Sequence, residues 1–230
     1  MAKYLNTPIF GILISIITFE IGLFINRKTK IAILNPMLIS VTLIISFLLY
    51  FDIDYEIYEK GGSIITFFLG PATVVLVVPL YRQIEKLKKS GIPILVGILV
   101  GAFTAIVSTY FLSKLFGLEE NIVLSLVPRS VTAAISIEIS KEIGGIPSLT
   151  VAATTLTGIV GSILGPYIYK VFGVKDETAQ GVGLGSGAHA LGTAKAMELG
   201  ETQGGMGSLS ISVAGLITVF LAPWLMKLFN

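Results

Sequence analysis

Cysteine is absent from the 230 residues and histidine occurs once, at His189. The first absence excludes disulfides, iron-sulfur clusters and thiolate metal sites, without identifying a redox compartment. The second leaves no plausible metal cluster or Ser-His-Asp constellation. Charge is scarce as well: Asp, Glu, Lys and Arg make up 13% of the chain, about half the usual share. A dispersed net charge of +2 argues against a nucleic-acid partner, whose phosphates call for a concentrated basic face. What remains is apolar, at 53% of residues. A folded chain of this size still exposes much of its area, so its solvent must be largely lipid.

Apolar windows long enough to cross about 30 Å of hydrocarbon fall at 8–25, 31–51, 62–81, 91–116, 146–172 and 206–229. No cleavable signal is expected, because the first window meets Arg27, Lys28 and Lys30 instead of a small-residue cleavage site. Two further stretches, 121–143 and 178–200, are interrupted, the first by Pro128-Arg129 and the second by Gly181, Gly183, Gly185 and Gly187. The expected fold is therefore an all-α polytopic membrane protein, a single domain over 1–230, with about six full spans and two broken or re-entrant segments. Arg27, Lys28, Lys30, Arg82, Lys86, Lys88 and Lys89 place the loops after windows one and three in the cytoplasm. The loops carrying Asp52, Asp54, Glu56, Glu59, Glu119 and Glu120 are poor in Lys and Arg and read as outside, as does the amino terminus.

Asn35-Pro36, Gly70-Pro71 and Gly165-Pro166 interrupt spans. Backbone groups freed by proline need protein or water beside them, so these kinks should face an interior; for Gly70 and Gly165, close helix packing is the expected reason.

Sliding the chain by sixty positions pairs Ala134 with Ala194, Glu138 with Glu198, Gly144-Gly145 with Gly204-Gly205 and Ser148-Leu149 with Ser208-Leu209. It also sets Pro128-Arg129-Ser130 opposite Ala188-His189-Ala190. Two units, roughly 121–172 and 181–229, would each hold a broken segment followed by a span. If the broken segments are re-entrant, each unit crosses once and the repeat is inverted, the architecture in which secondary transporters bind solute between opposed half-helices. If both cross fully, the repeat is parallel. Chance similarity in so biased a composition is the competing explanation.

In the first broken segment, Pro128 suits the first turn of a helix, with Ser130 and Thr132 near that turn. Exposed amides, a positive dipole end and the Arg129 guanidinium would together receive a carboxylate. Arg129 could instead snorkel or pair with Glu138. In the second segment, flexible backbone through Ser186, Gly187 and Ala188 leads to His189 and on to Thr193. His189 has the near-neutral titration suited to a coupled proton, or is a satisfied structural hydrogen-bonder. Lys195 and Glu198 read as a surface ion pair, and Glu20 as an interfacial partner of Arg27 or Lys28 or a functional carboxylate. Thr154, Thr155 and Thr157 are expected to hydrogen-bond between helices rather than line a path.

The glycine run has neither the strand context of a dinucleotide fingerprint nor the Gly-Lys-Ser/Thr of a phosphate loop, and no Gly-x-Ser-x-Gly elbow occurs. The expectation is a protein that is not an enzyme and has no cofactor and no metal.

Asn35-Pro36, the run from Phe68 to Tyr81, Pro128 to Thr132, Ile143-Gly-Gly-Ile-Pro147 and Gly185-Ser-Gly-Ala-His-Ala-Leu-Gly-Thr-Ala194 together resemble the LrgB/CidB family of antiholin-like membrane proteins, along nearly the whole chain. The resemblance implies two roles. One is modulation of murein hydrolase activity and lysis with small holin-like LrgA/CidA partners, here expected as separate chains. The other is transport, since a plastid relative resembles a glycolate/glycerate carrier and bacterial relatives are linked to pyruvate. Arg129 stands where the family commonly has lysine, and Ala133-Ala134 where Thr-Pro often follows, which bears on substrate preference.

The resulting expectation is a secondary transporter of small monocarboxylates or hydroxycarboxylates in the cytoplasmic (inner) membrane, a dimer, with a small organic anion held by Pro128, Arg129, Ser130, Thr132, Ser186, Gly187, Ala188, His189 and Thr193. His189 is the candidate for proton coupling. The alternative is an antiholin-like regulator or pore component acting with an LrgA/CidA-type partner.

Overall fold

The computed structural model describes residues 6–29, 34, 36–68, 71 and 84–229, with side chains from residue 91 onward in the last segment. Among these residues every regular element is helical: α1 (Pro8–Thr29), α2 (Pro36–Tyr50), α3 (Tyr55–Phe67), α4 (Ile84–Leu115), α5 (Glu120–Leu126), α6 (Ala133–Ile143), α7 (Pro147–Val171), α8 (Glu177–Leu199) and α9 (Glu201–Phe229). Four stretches are long and apolar enough to cross a membrane: α1, Gly91–Leu115 of α4, α7 and α9. The protein is a polytopic helical membrane protein. The contacts divide it into two compact units, Met1–Ala72 and Thr73–Asn230.

In the first unit α1 packs on both α2 and α3. Gly11 permits it to meet α3, since a Cβ there would lie 2.9 Å from the Cα of Gly61. Thr18 and Ser40 join α1 to α2 through their hydroxyls at 2.8 Å, and Ser15 meets the Tyr58 hydroxyl at 3.1 Å. The window at 31–51 is realised as α2, whose 15 residues rise only about 22 Å. The window at 62–81 starts earlier than its hydropathy suggests. Glu56 and Glu59, expected in a loop, lie in α3, which begins behind Asp54 with Glu56 in its first turn, where the helix dipole favours an anion. Asn35, Gly70, residues 72–81 and Arg82 lie outside the described residues, as do the side chains of Lys86, Lys88 and Lys89.

In the second unit both interrupted segments are hairpins. Between α5 and α6 the chain turns back, so that Ser125 Oγ accepts a hydrogen bond from Ile146 N at 2.6 Å; an unbroken helix would hold these residues about 30 Å apart. Helix α8 is broken at Ala188 (φ −132°, ψ 19°) and His189 (φ 42°, ψ −130°). Past the break Gly192 lies on the carbonyl of Leu184, and a Cβ there would sit 2.7 Å from the Cβ of Ala188. Eight residues of continuous helix would span about 12 Å instead. Gly192 has no side chain to keep the arms apart.

The two hairpins approach α7 from its opposite ends. Along its amino-terminal half, Thr150 Oγ1 donates to Ser140 Oγ at 2.7 Å and Ser136 and Thr154 hydroxyls meet at 3.1 Å. Along its carboxy-terminal half, Tyr169 OH donates to the carbonyl of Gln180 at 2.9 Å, and Gly165 and Gly161 lie against Leu184 and Ala188. Gly165 thus serves close packing, as expected. Helices α4 and α9 complete the unit: Ile106, Val123, Val127, Ile139 and Leu225 share one buried cluster, and Ile98, Met206 and Leu209 another.

The sixty-residue register aligns the two tips but fails for the residues beyond them. Gly144 ends α6 in a left-handed turn (φ 90°), whereas Gly204-Gly205 lie inside α9, which already begins at Glu201.

Candidate functional site

Pro128 is not the first residue of a helix. Helix α5 ends at Leu126, Val127 keeps helical dihedrals, and Pro128 lies in the turn closed by Arg129 N to Leu126 O at 3.2 Å. Proline's fixed φ suits such a turn as well as a helix start. The helix begins at Ala133 behind Thr132, whose backbone is extended (φ −62°, ψ 150°) but whose side chain makes no capping bond. The first amides of α6 have no carbonyl within their own helix to bond, and the positive end of its dipole lies at this tip.

Arg129 is half-buried between two helices. Its Nε donates to Thr109 Oγ1 of α4 at 3.0 Å and its Nη1 to Thr157 Oγ1 of α7 at 3.3 Å. Glu138 is not its partner; that carboxylate pairs with Lys141 at 2.8 Å on the exposed side of α6. Among the described residues no carboxylate lies within ion-pair distance of Arg129. Beside it, Ser130 Oγ and Thr132 Oγ1 are buried with no hydrogen-bond partner among the described residues, as is Thr193 Oγ1 on the second hairpin. A buried polar group left unpaired costs about 1–3 kcal/mol.

At the other tip, the His189 ring lies on Gly158 of α7, where a Cβ would be 2.5 Å from Cε1 and 2.7 Å from Nε2. Its Nε2 is 2.8 Å from the carbonyl oxygen of Thr154. A carbonyl only accepts, so this nitrogen carries the proton in the contact. Both tips therefore bond to the same turn of α7, Arg129 at Thr157 and His189 at Thr154. The remaining candidates are distributed differently. Ser186 spends its hydroxyl proton on Val182 O at 2.7 Å and lies beside Gly101 of α4. Thr193 turns its methyl towards Gly207 of α9. Ala188 is buried, and Gly187 is exposed with nothing near its Cα hydrogens. Lys195 and Glu198 form the expected ion pair at 2.7 Å, the carboxylate exposed and the lysine half-buried.

Thr109 and Gly158 carried no signal in the sequence. Thr109 is one hydroxyl in an apolar run, and Gly158 one glycine among 25. Thr154 bridges helices as expected, through its hydroxyl, and it also supplies the carbonyl for His189.

The chain's similarity to known proteins covers both units. The pattern described as the LrgB-like family matches residues 15–228. "Antiholin-like protein LrgB" of Bacillus mycoides (strain KBAB4) is 38% identical over 221 residues, 96% of each chain. The proteins of the same name from Bacillus cereus (strain B4264) and Bacillus anthracis (strain CDC 684 / NRRL 3495) are 37% identical over the same shares. No solved structure matches.

Proposed function

Because the chain belongs to the LrgB-like family, we propose that it is an antiholin-like protein of the cytoplasmic membrane, its amino terminus outside, which modulates murein hydrolase activity and lysis together with an LrgA/CidA-type membrane partner. The names of its relatives, similar over 96% of their length, carry this reading. Co-expression supplies its test: the chain should change the rate of autolysis only when the holin-like partner is present, and an equal effect without the partner speaks against it.

A second reading concerns the activity of the site and rests on one observation, that Arg129 is held by neutral hydroxyls and has no carboxylate partner among the described residues. Arg129 lies in a hairpin turn but is held between two candidate spans through Thr109 and Thr157, and a cation so placed without a counter-ion supports a functional role. With the unpartnered Ser130 and Thr132 hydroxyls and the amino terminus of α6, it suits a small organic anion. In this reading the protein is a secondary transporter of monocarboxylates or hydroxycarboxylates of the pyruvate, glycolate and glycerate class. The solute crosses chemically unchanged, which makes the protein a carrier and not an enzyme in this reading, and a dimer is the assembly proposed for it. The approach of the two hairpins from opposite ends of α7 supports an inverted repeat, and His189 is the group that would couple a proton.

Reconstituted liposomes separate the readings. Saturable uptake of labelled pyruvate or glycolate, competed by similar acids and lost in Arg129→Ala, supports the carrier. Unselective dye leakage supports a pore component.

A further inference from the structure

Arg129 carries five N–H donors in a planar fork, and two of them are tied down by threonines from different helices. The two threonines are not equivalent. Thr109 gives its own hydroxyl proton to the carbonyl of Ala105, one turn back on α4, at 2.6 Å. Its oxygen is thereby left to accept, and it takes the Nε hydrogen of Arg129 at 3.0 Å. Thr157 accepts from Nη1 at 3.3 Å and donates to no protein atom among the described residues.

We propose that Thr109 and Thr157 are positioning residues, a two-helix clamp that fixes the plane of the Arg129 guanidinium and leaves three N–H donors on Nη1 and Nη2, of which the planar fork presents at most two at a time to one carboxylate. This rests on the carrier reading of the same site. The Thr157 hydroxyl proton adds a donor to the anion. The clamp accounts for arginine at this position: an ammonium carries the same charge but has no planar edge that two fixed acceptors could orient. It also extends the site to α4, so that the anion's principal cation is aligned by α4 and α7 together while the peptide that bears it belongs to a hairpin tip.

Two measurements on the full chain test this. In liposomes, Thr109→Val and Thr157→Val should each raise the KM for labelled glycolate about tenfold or more, as expected for loss of a hydrogen bond to a charged group, with the maximal rate little changed. Thr109→Ser and Thr157→Ser should restore the parent KM. A purely structural role would lower the amount of folded protein without this split. In protein labelled with 15N-arginine, Arg27, Arg82 and Arg129 give separate Nε–H signals, assigned by Arg→Lys variants. The Arg129 signal should exchange slowly with water in the parent and in Thr109→Ser, and quickly in Thr109→Val. An unaltered KM in both valine variants, or an Arg129 signal indifferent to Thr109→Val, overturns the proposal. Should the parent take up no acid at all, the carrier reading fails and the arginine signal alone decides whether the clamp exists.

Discussion

Arg129 and His189, each at the tip of its own hairpin, are bonded to one turn of α7, the former to the Thr157 hydroxyl at 3.3 Å and the latter to the Thr154 carbonyl at 2.8 Å. That turn links the two halves of the site, and the protein should be most sensitive to changes there.

Gly158 is the position where the His189 ring leaves no room. Gly158→Ala sets a methyl 2.5 Å from Cε1 and must displace the ring or the helix, costing about 1–3 kcal/mol. Thermal unfolding in detergent should register the loss, whereas Gly187→Ala, with nothing within 4 Å, should unfold at the parent temperature. Equal stability of the two variants contradicts the seating of His189.

Ser130 and Thr132 should separate stability from function. Their hydroxyls are buried without partners among the described residues, so Ser130→Ala and Thr132→Val should leave stability unchanged or raise it by up to about 1 kcal/mol. Uptake of labelled acid should fall in both. A stability loss with unchanged uptake would instead mark them as structural.

If His189 carries the coupled proton, the response of uptake to an imposed pH gradient disappears in His189→Ala. Residual uptake that still tracks the gradient in full disposes of that role and leaves the ring as the tether between the hairpin and α7.

Topology has a separate check. The hairpins meet α7 from opposite ends, so single cysteines introduced near residues 143 and 175 should label from opposite sides of the membrane, the first from outside. The zero-cysteine background makes the experiment clean. Labelling of both positions from one side removes the arrangement of α7 as a full crossing.

The Lys195–Glu198 pair is a negative control. Its carboxylate is exposed and its lysine partly so, so neutralising either residue should change stability by less than about 1 kcal/mol and leave uptake unaffected.

Much of this was legible in the sequence because the breaks are chemical. Pro128 announces the first interruption, whereas Gly181, Gly183, Gly185 and Gly187, expected to interrupt the second segment, lie in regular helix where the first three pack closely on neighbours, and the break falls just past them at Ala188 and His189. The start of α6 was not legible, since proline's restricted φ fits a turn and a helical first turn equally well. Glu56 and Glu59 looked like loop residues because hydropathy registers the lipid-facing part of a helix and misses a polar first turn. Thr109 was silent for another reason: a threonine that bonds its own helix at Ala105 is ordinary in an apolar run, and only the approach of Arg129 from elsewhere in the chain gives it a role.

The shortness of the hairpin arms bears on how the protein is made. Helices α5 and α6 have 7 and 11 residues, and α8 is broken near its middle, so no arm has the roughly 20 apolar residues by which a nascent segment enters the bilayer unaided. Each hairpin leaves the ribosome before the long helix that shelters it, α7 for the first and α9 for the second. Biogenesis must hold both arms at the edge of the membrane until those helices are in place, and the last hairpin to settle waits on the final stretch of the polypeptide.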